Sequence, residues 1–132
     1  MSKASNYLEN GVINYFFRNQ SVTRPTNIYV ALYKTNPTDA NTGAEVTGGG
    51  YERQKVTMGA PIQNNDSAVT TNSARVEFPR ATSNWGEITH FGIFDAKTGG
   101  NLLTYGVFNR PITIETDNQF VIDTNDLEIT VA

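Results

Sequence analysis

The sequence predicts a mainly β protein: an antiparallel β-sandwich, jelly-roll or immunoglobulin-like, with about eight strands and one N-terminal helix. One segment near the N-terminus has helical apolar spacing, whereas the rest alternates short β-branched and aromatic runs with turn residues. No internal repeat is found. A length of 132 residues fits one domain, predicted as 1–132, with a helix and arm over 1–24 and the β-sandwich over 25–132.

The helix is predicted over Ser5–Asn19. Its apolar side chains recur at the i, i+4, i+7 and i+8 spacing of one helix face, and Ser5 or Ser2 is a suitable N-cap. Gly11 and three asparagines lower its intrinsic stability, so we expect it to need packing against its own domain or a neighbouring subunit. The predicted face consists of Leu8, Val12, Tyr15 and Phe16.

The strands follow from apolar runs bounded by turn signals. The run 27–34 is apolar on both faces, which indicates a central strand. Gly99 and Gly100 predict a tight connection between strands 87–94 and 102–108, and Asp117-Asn118 predicts a hairpin turn between strands 111–116 and 119–123. The remaining strands are predicted at 51–58, 74–78 and 127–131, with a turn at 64–67.

The segment 36–50 is predicted as a long irregular loop because it is rich in Pro, Asn, Asp and Gly. A loop of this length in a small domain is often functional. Asn36, Pro37, Asp39 and the adjacent Tyr51 therefore join the helix face as candidate docking or self-association residues. The triplet 48–50 lacks the sequence of a phosphate-binding loop, which favours a tightly turning connection.

Composition argues against several functional classes. The net charge is −3 and only 17% of residues are charged, without basic runs, so we expect no nucleic-acid partner. No apolar run reaches membrane-spanning length, so we expect no membrane partner. The absence of cysteine excludes disulfides and thiolate metal sites.

The sequence contains few residues that indicate a catalytic or metal-binding site. His90, the sole histidine, shares a predicted strand face with Ile88, Gly92 and Phe94, which favours a packed core residue over a general base. The segments 39–43 and 123–128 resemble calcium loops only superficially and lack the full ligand pattern. We therefore predict no catalytic residue, no cofactor and no metal, and hence no enzyme.

A carbohydrate-binding module is an alternative from another functional class. Trp85 and Tyr51 are the aromatic residues that would stack on a sugar if they were exposed. Anchoring of Trp85 in the core is the favoured interpretation. The alternative enzyme hypothesis requires a cleft that holds His90 beside a carboxylate.

The sequence resembles a family of small virion proteins of tailed bacteriophages, commonly labelled tail fibre proteins. The resemblance runs in order over about three quarters of the chain. Its pieces are Tyr7-Leu8-Glu9-Asn10, the strand 28–33 with Asn36-Pro37-Thr38-Asp39 and Gly43, the segment 48–54, the segment 78–82, Trp85-Gly86, and Ile88-Thr89-His90-Phe91-Gly92-Ile93-Phe94-Asp95 with Gly99-Gly100-Asn101-Leu102-Leu103.

The resemblance implies a non-enzymatic structural protein of the virion, assembled in the host cytoplasm. Because 132 residues without a repeat or heptad make a short domain, we expect a capsid decoration (cement) protein that stabilises the shell between capsid subunits. A tail fibre or tail-adaptor protein is the alternative. The expected partners are the major capsid protein or tail proteins and other copies of the chain, as a dimer or trimer.

Overall fold

The computed structural model describes residues 2–132, and its secondary structure is mainly antiparallel β. The predicted fold class, with one N-terminal helix, is confirmed. The prediction of a single domain over 1–132 stays a prediction, and Met1 lies outside the described residues. The elements are β1 (Ser2–Ala4), α1 (Asn6–Phe17), β2 (Ile28–Tyr33), β3 (Gln54–Val56), β4 (Ile62–Asn64), β5 (Ser67–Thr71), β6 (Val76–Glu77), β7 (Gly86–Phe94), β8 (Leu102–Ile114), β9 (Val121–Ile122) and β10 (Glu128–Val131).

Three antiparallel sheets make up the β structure, which is sandwich-like. The largest has the strand order β1-β8-β7-β2-β3, a second has the order β10-β5-β4, and β6 pairs with β9. Strand β2 lies inside the largest sheet and is buried over its last four residues, as its apolar pattern predicts. The main core lies on one face of this sheet around Trp85, Phe78 and Leu32. A smaller cluster on the other face includes Tyr33 and Phe94.

The β7–β8 hairpin is the centre of the largest sheet, and its predicted connection is confirmed. Phe94 pairs with Leu102 across its closed end. The Asp95 carboxylate accepts hydrogen bonds from the Asn101 backbone N–H, at 2.7 Å, and from the Asn101 side-chain amide, at 3.0 Å. Gly99 and Gly100 both have positive φ, the conformation for which glycine suits such turns.

A large bulge interrupts this hairpin. Ile88 pairs with Ile112 and His90 with Val107, so Thr89 alone lies opposite the four residues 108–111. The prediction that Ile88 and His90 lie on the same face of the strand is therefore wrong. Because of the bulge, the Ile88 side chain packs in the main core together with Phe91 and Ile93. His90 does not share that environment and is only partly buried.

Two features of the strand prediction need correction. The Asp117-Asn118 turn exists, with the Asn118 N–H donating to the Glu115 carbonyl at 3.0 Å. The strands on either side of it do not form a hairpin, because β8 pairs with β7 and β9 pairs with β6. Strands β1, β4 and β5 were not predicted, although the turn at 64–67 that joins β4 and β5 was.

Candidate docking surface

The N-terminal end of α1 is held firmly to the β structure. Ser5 caps the helix, because its Oγ accepts from the Leu8 N–H at 3.2 Å and donates to the Leu102 carbonyl. The Ser5 N–H donates to the Leu103 carbonyl, and the Asn6 N–H donates to the Asp39 carbonyl, both at 2.9 Å. The start of the helix is thus fixed to β8 and to the 36–43 loop.

The rest of α1 exposes apolar side chains to solvent. None of the residues 6–17 is buried. Only Leu8, Gly11 and Asn14 are partly buried, so a single large apolar residue of the helix lies on the side nearest to the rest of the protein. An ordinary surface helix instead packs its whole apolar stripe on the core. The exposed apolar side chains are Tyr7, Val12, Ile13, Tyr15, Phe16 and Phe17, with Phe16 71% and Phe17 76% exposed.

A groove of about 570 Å³ lies between α1 and the segment 22–25. Its helix side carries the predicted face, Leu8, Val12, Tyr15 and Phe16, and its other side includes Val22 and Pro25. The structure therefore brings together all four helix candidates along one apolar groove. We call the helix side chains and this groove the α1 surface.

Sequence reasoning missed three members of the α1 surface, Tyr7, Ile13 and Phe17. They lie outside the predicted stripe because that stripe was chosen as a single core-facing row. Ile13 and Phe17 are four residues apart, so they form a second apolar row beside it. A count of every apolar residue around the helix would have identified all three.

The loop candidates support the helix more than they extend its surface. Pro37 is buried, and its carbonyl accepts from the N–H groups of Thr42 and Gly43. Asn36 and Asp39 are exposed, but the Asn36 side chain accepts from the Thr38 N–H and the Asp39 carboxylate accepts from the Tyr105 hydroxyl. Burial, with the hydrogen bond and charge of Asp39, raises the pKa of Tyr105 to about 12.

Tyr51, the last candidate, belongs to a polar cluster that ties the long loop after β2 to β2 itself and to the β7–β8 turn. Its hydroxyl donates to Glu45 Oε2 at 2.7 Å and accepts from the Leu32 N–H at 3.0 Å. Glu45 also binds Arg53, whose guanidinium donates to the carbonyls of Ala96 and Gly99 in the β7–β8 turn. We call Glu45, Tyr51 and Arg53 the Glu45 cluster; it fixes loop geometry.

Electrostatics within the Glu45 cluster are strongly coupled. Burial, with the hydrogen bond and negative charge of Glu45, raises the pKa of Tyr51 far above its ordinary value, and burial beside Glu45 does the same for Tyr33. Burial alone would lower the pKa of Arg53, but the hydrogen bonds and charge of Glu45 more than offset it. The tyrosines therefore stay neutral and Arg53 stays charged at physiological pH.

The residues considered for catalysis and sugar binding have structural partners. Trp85 is 2% exposed and its indole N–H donates to the Gly49 carbonyl at 2.8 Å, which confirms its role as a core anchor. His90 Nδ1 lies 2.7 Å from the Thr89 hydroxyl, and burial lowers the pKa of His90. Among residues 2–132 no three metal-ligating side chains come together, and no helix in this range is long and apolar enough to cross a membrane.

A second groove, of about 600 Å³, lies beside the bulge in β8. Phe91, Phe108 and Phe120 form part of its wall, and the Phe108 ring packs between the other two, with centroids 5.4 Å apart in each contact. Its polar side chains include Arg110, Asp126 and Glu128. This mixed lining lacks the continuous apolar character of the α1 surface.

An antiparallel β domain with internally bonded loops and one outward-facing apolar helix is typical of a subunit of a larger assembly. The family model described as "Podophage GP4 fiber I protein gp80" matches residues 3–130. The chain therefore belongs to this family of phage fibre proteins, which confirms the resemblance and indicates a structural role in the virion. The comparison with curated proteins gave no match.

Proposed function

We propose that this protein is a non-enzymatic subunit of a phage tail fibre or tail-fibre adaptor. The observation that carries the proposal is the family match over residues 3–130, because it covers almost the entire β domain and its helix. The expectation of a capsid decoration protein has less support, since the matched family is described by a fibre protein.

The physical basis of this role is association without chemistry. The Glu45 cluster and the Asp95–Asn101 turn hold the loops of the domain in one conformation. The α1 surface offers apolar side chains whose removal from water favours assembly. A subunit of this kind contributes rigid surface and contact area, and it needs no bound cofactor.

Purified virus particles are used to test whether the protein lies in the tail or on the head. Particles are disrupted so that tails separate from filled heads, and both fractions are assayed with antibodies against this protein. We expect the protein in the tail fraction, with the major capsid protein and a tail tube protein as fraction markers. Quantitative mass spectrometry should give a handful of copies per particle.

Recovery with the heads, at hundreds of copies per particle, would overturn the proposal in favour of the decoration protein. A reconstruction of the intact particle provides a second readout. Density for the β domain on the shell lattice would have the same consequence, whereas density on fibres or at their attachment points supports the proposal.

A further inference from the structure

We propose that the groove beside β8 binds an extended segment of another protein of the virion, which adds to the open edge of the largest sheet as a strand in line with β1. This groove lies between residues 107–112 of β8 and residues 120–128, and we call it the β8 groove. The proposal specifies how a fibre subunit is joined to a neighbouring protein, and it rests on the proposed function for the origin of that partner.

One edge of β8 is only partly covered. On the side that faces away from β7, β1 pairs with residues 104–106. Beyond Gly106, no strand among residues 2–132 pairs with β8 on this side, and residues 107–113 form no hydrogen bond with the backbone of a loop in this range. An uncovered strand edge presents N–H and carbonyl groups to which an extended peptide can bind. The chemistry of this edge therefore favours a peptide backbone as the ligand.

The N-terminal strand β1 shows how such a segment would lie. Ser2 pairs with Gly106 of β8, and the Ser2 Oγ accepts from the N–H of Thr130 in β10 at 2.8 Å. Strand β1 therefore occupies the space between β8 and β10. The β8 groove continues that space past Gly106, because its walls are the next residues of β8 and the segment that leads into β10. A strand in line with β1 would thus fill the groove.

The lining of the β8 groove fits the alternating side chains of a strand. Phe120 and Leu127 are at most 5% exposed and form part of an apolar floor, and Val107 and Ile112 add half-exposed apolar surface. Because successive side chains of a strand point to opposite sides, every second side chain of a bound segment enters the groove. The volume of about 600 Å³ lies within the range of about 300–1,000 Å³ that is usual for binding pockets, so a short peptide can be held.

Charge gives the bound segment a preferred composition. Asp126 and Glu128 belong to one wall of the β8 groove, and Arg110 belongs to the other. The ion pairs among residues 2–132 involve other side chains, so these three charges are available to a ligand. Two carboxylates and one guanidinium leave an excess of negative charge, which favours a segment with a lysine or arginine.

A sugar fits the β8 groove less well than a peptide. Stacking on a sugar needs an open aromatic face, but Phe91 and Phe120 are each only 5% exposed. The Phe108 ring is packed between them. A sugar also has no repeating backbone that could pair with the uncovered edge of β8.

Amide chemical shifts of the isotope-labelled full chain, measured during titration with a synthetic peptide, test the proposal. The probe is the acetylated and amidated peptide Lys-Val-Thr-Val-Thr-Val, which has the required alternation and positive charge. At millimolar peptide we expect the largest shifts at residues 107–112 and 120–128. Ile112→Lys should weaken binding more than tenfold, because it places a cation in an apolar contact and repels the lysine of the peptide. Ile62→Lys is the matched control, since Ile62 is 71% exposed but lies on β4, outside the groove.

Two N-methylated versions of the peptide test whether its backbone pairs with β8. Methyl groups on alternate amides remove the donors from one edge of the strand and leave the other edge intact. The version that is methylated on the edge facing β8 should bind more than tenfold more weakly, whereas the other should bind within about twofold of the parent peptide. Equal affinities of the two versions would overturn strand addition.

A charge reversal in the groove gives a further test that does not alter an apolar residue. Glu128→Lys should weaken binding of the lysine peptide by about threefold, in line with an exposed ion pair. A peptide with glutamate in place of the lysine should show the opposite preference and bind the variant more tightly. An identical response of the two peptides would overturn the predicted composition of the segment.

An absence of shifts in the β8 groove at millimolar peptide, shifts that map to the α1 surface instead, or equal weakening by Ile62→Lys would overturn the proposal. Circular dichroism of each variant establishes that the fold is retained. The same titration with N-acetylglucosamine and with galactose examines the competing ligand class. Groove shifts with a sugar and none with the peptide would overturn the proposal in favour of a carbohydrate site.

The results separate this proposal from the proposed function. A groove that does not bind the peptide, with the protein in the tail fraction, overturns strand addition alone. Peptide binding in the groove, with the protein in the head fraction, overturns the fibre assignment alone.

Discussion

Arg53 and Glu45 form a two-pronged ion pair, with Nε to Oε2 and Nη2 to Oε1 both at 2.9 Å. The guanidinium carbon lies 3.6 Å from the centre of the Phe94 ring, and the Arg53 side chain is only 9% exposed. One arginine thus joins the long loop after β2 to the turn between β7 and β8. Planar bidentate contacts of this kind are specific to arginine.

Glu45→Gln is expected to lower the free energy of unfolding by about 2–4 kcal/mol, because it leaves the largely buried guanidinium without a counter-charge. Urea unfolding followed by tryptophan fluorescence measures the change. Arg75→Met is the control, since the ion pairs of Arg75 with Glu77 and Asp123 are exposed; it should cost less than about 0.5 kcal/mol. Equal effects of the two substitutions would refute a structural role for the pair.

Gly49→Ala should destabilise the protein by about 2–4 kcal/mol. Gly49 has a φ of +61°, and a Cβ there would lie 2.8 Å from two ring atoms of the buried Trp85. The neighbouring Gly48→Ala is the control: its φ of +73° is similar, but its Cβ would meet open space, so only about 1 kcal/mol of backbone strain is expected. Thermal melts of the two variants should therefore differ, and coincident melts would show that the Trp85 contact is unimportant.

The spacing of apolar residues along the sequence predicted the helix and most of the strands, because this spacing reflects local structure. The β7–β8 hairpin carries both of its signals in sequence, an apolar run on each side and Gly99-Gly100 between them. The N-cap at Ser5 is equally local. Strand β1 was missed because its three residues pair with Thr104–Gly106, about a hundred positions away, and carry no apolar pattern of their own.

The polar side chains that hold the loops were also beyond prediction. Asn72 is fully buried, and its amide binds the carbonyls of Ala74 and Asp123 and the Leu127 N–H. In the sequence, nothing distinguishes Asn72 from the other asparagines of the chain, which are common in turns. The bonding of Glu45 and Arg53 likewise depends on which loops the sheet brings together. The α1 surface was half predicted, since spacing identified an apolar face but could not show that it points to solvent.

Tyr105→Phe should flatten the loss of stability at alkaline pH. The folded state holds the Tyr105 proton with a pKa of about 12, against an ordinary value of 10.0, so its contribution is complete below pH 10 and is lost as pH rises toward 12. Within that window the unfolding free energy of the wild type should fall more steeply than that of the variant, by up to about 1.4 kcal/mol per pH unit. Parallel pH profiles of the two proteins, measured by urea unfolding, would contradict the assignment.

Ser5→Ala should lower stability by about 1–2 kcal/mol, because it removes the cap of α1 and the bond from the helix start to Leu102. Chemical denaturation measures the loss, and Ser5→Thr, which keeps the hydroxyl, should recover most of it. A matching control is Ser73→Ala, whose exposed hydroxyl donates to the Thr57 carbonyl at 3.2 Å. A cost for Ser5→Ala no greater than for Ser73→Ala would show that the helix start is held by its backbone bonds alone.

His90→Gln should reduce the sensitivity of the fold to acid. Burial holds the folded-state pKa of His90 below its ordinary 6.5, so the residue stabilises the neutral-pH fold and this contribution is lost as pH falls below 6.5 through the folded pKa. Glutamine keeps a polar group near the Thr89 hydroxyl without a charge to acquire. As the pH falls from 7 toward the onset of carboxylate titration, the unfolding free energy of the wild type should therefore decrease more than that of the variant. A pH-independent difference would mean that the sole histidine does not titrate with folding, and would leave its contact with Thr89 as its structural contribution.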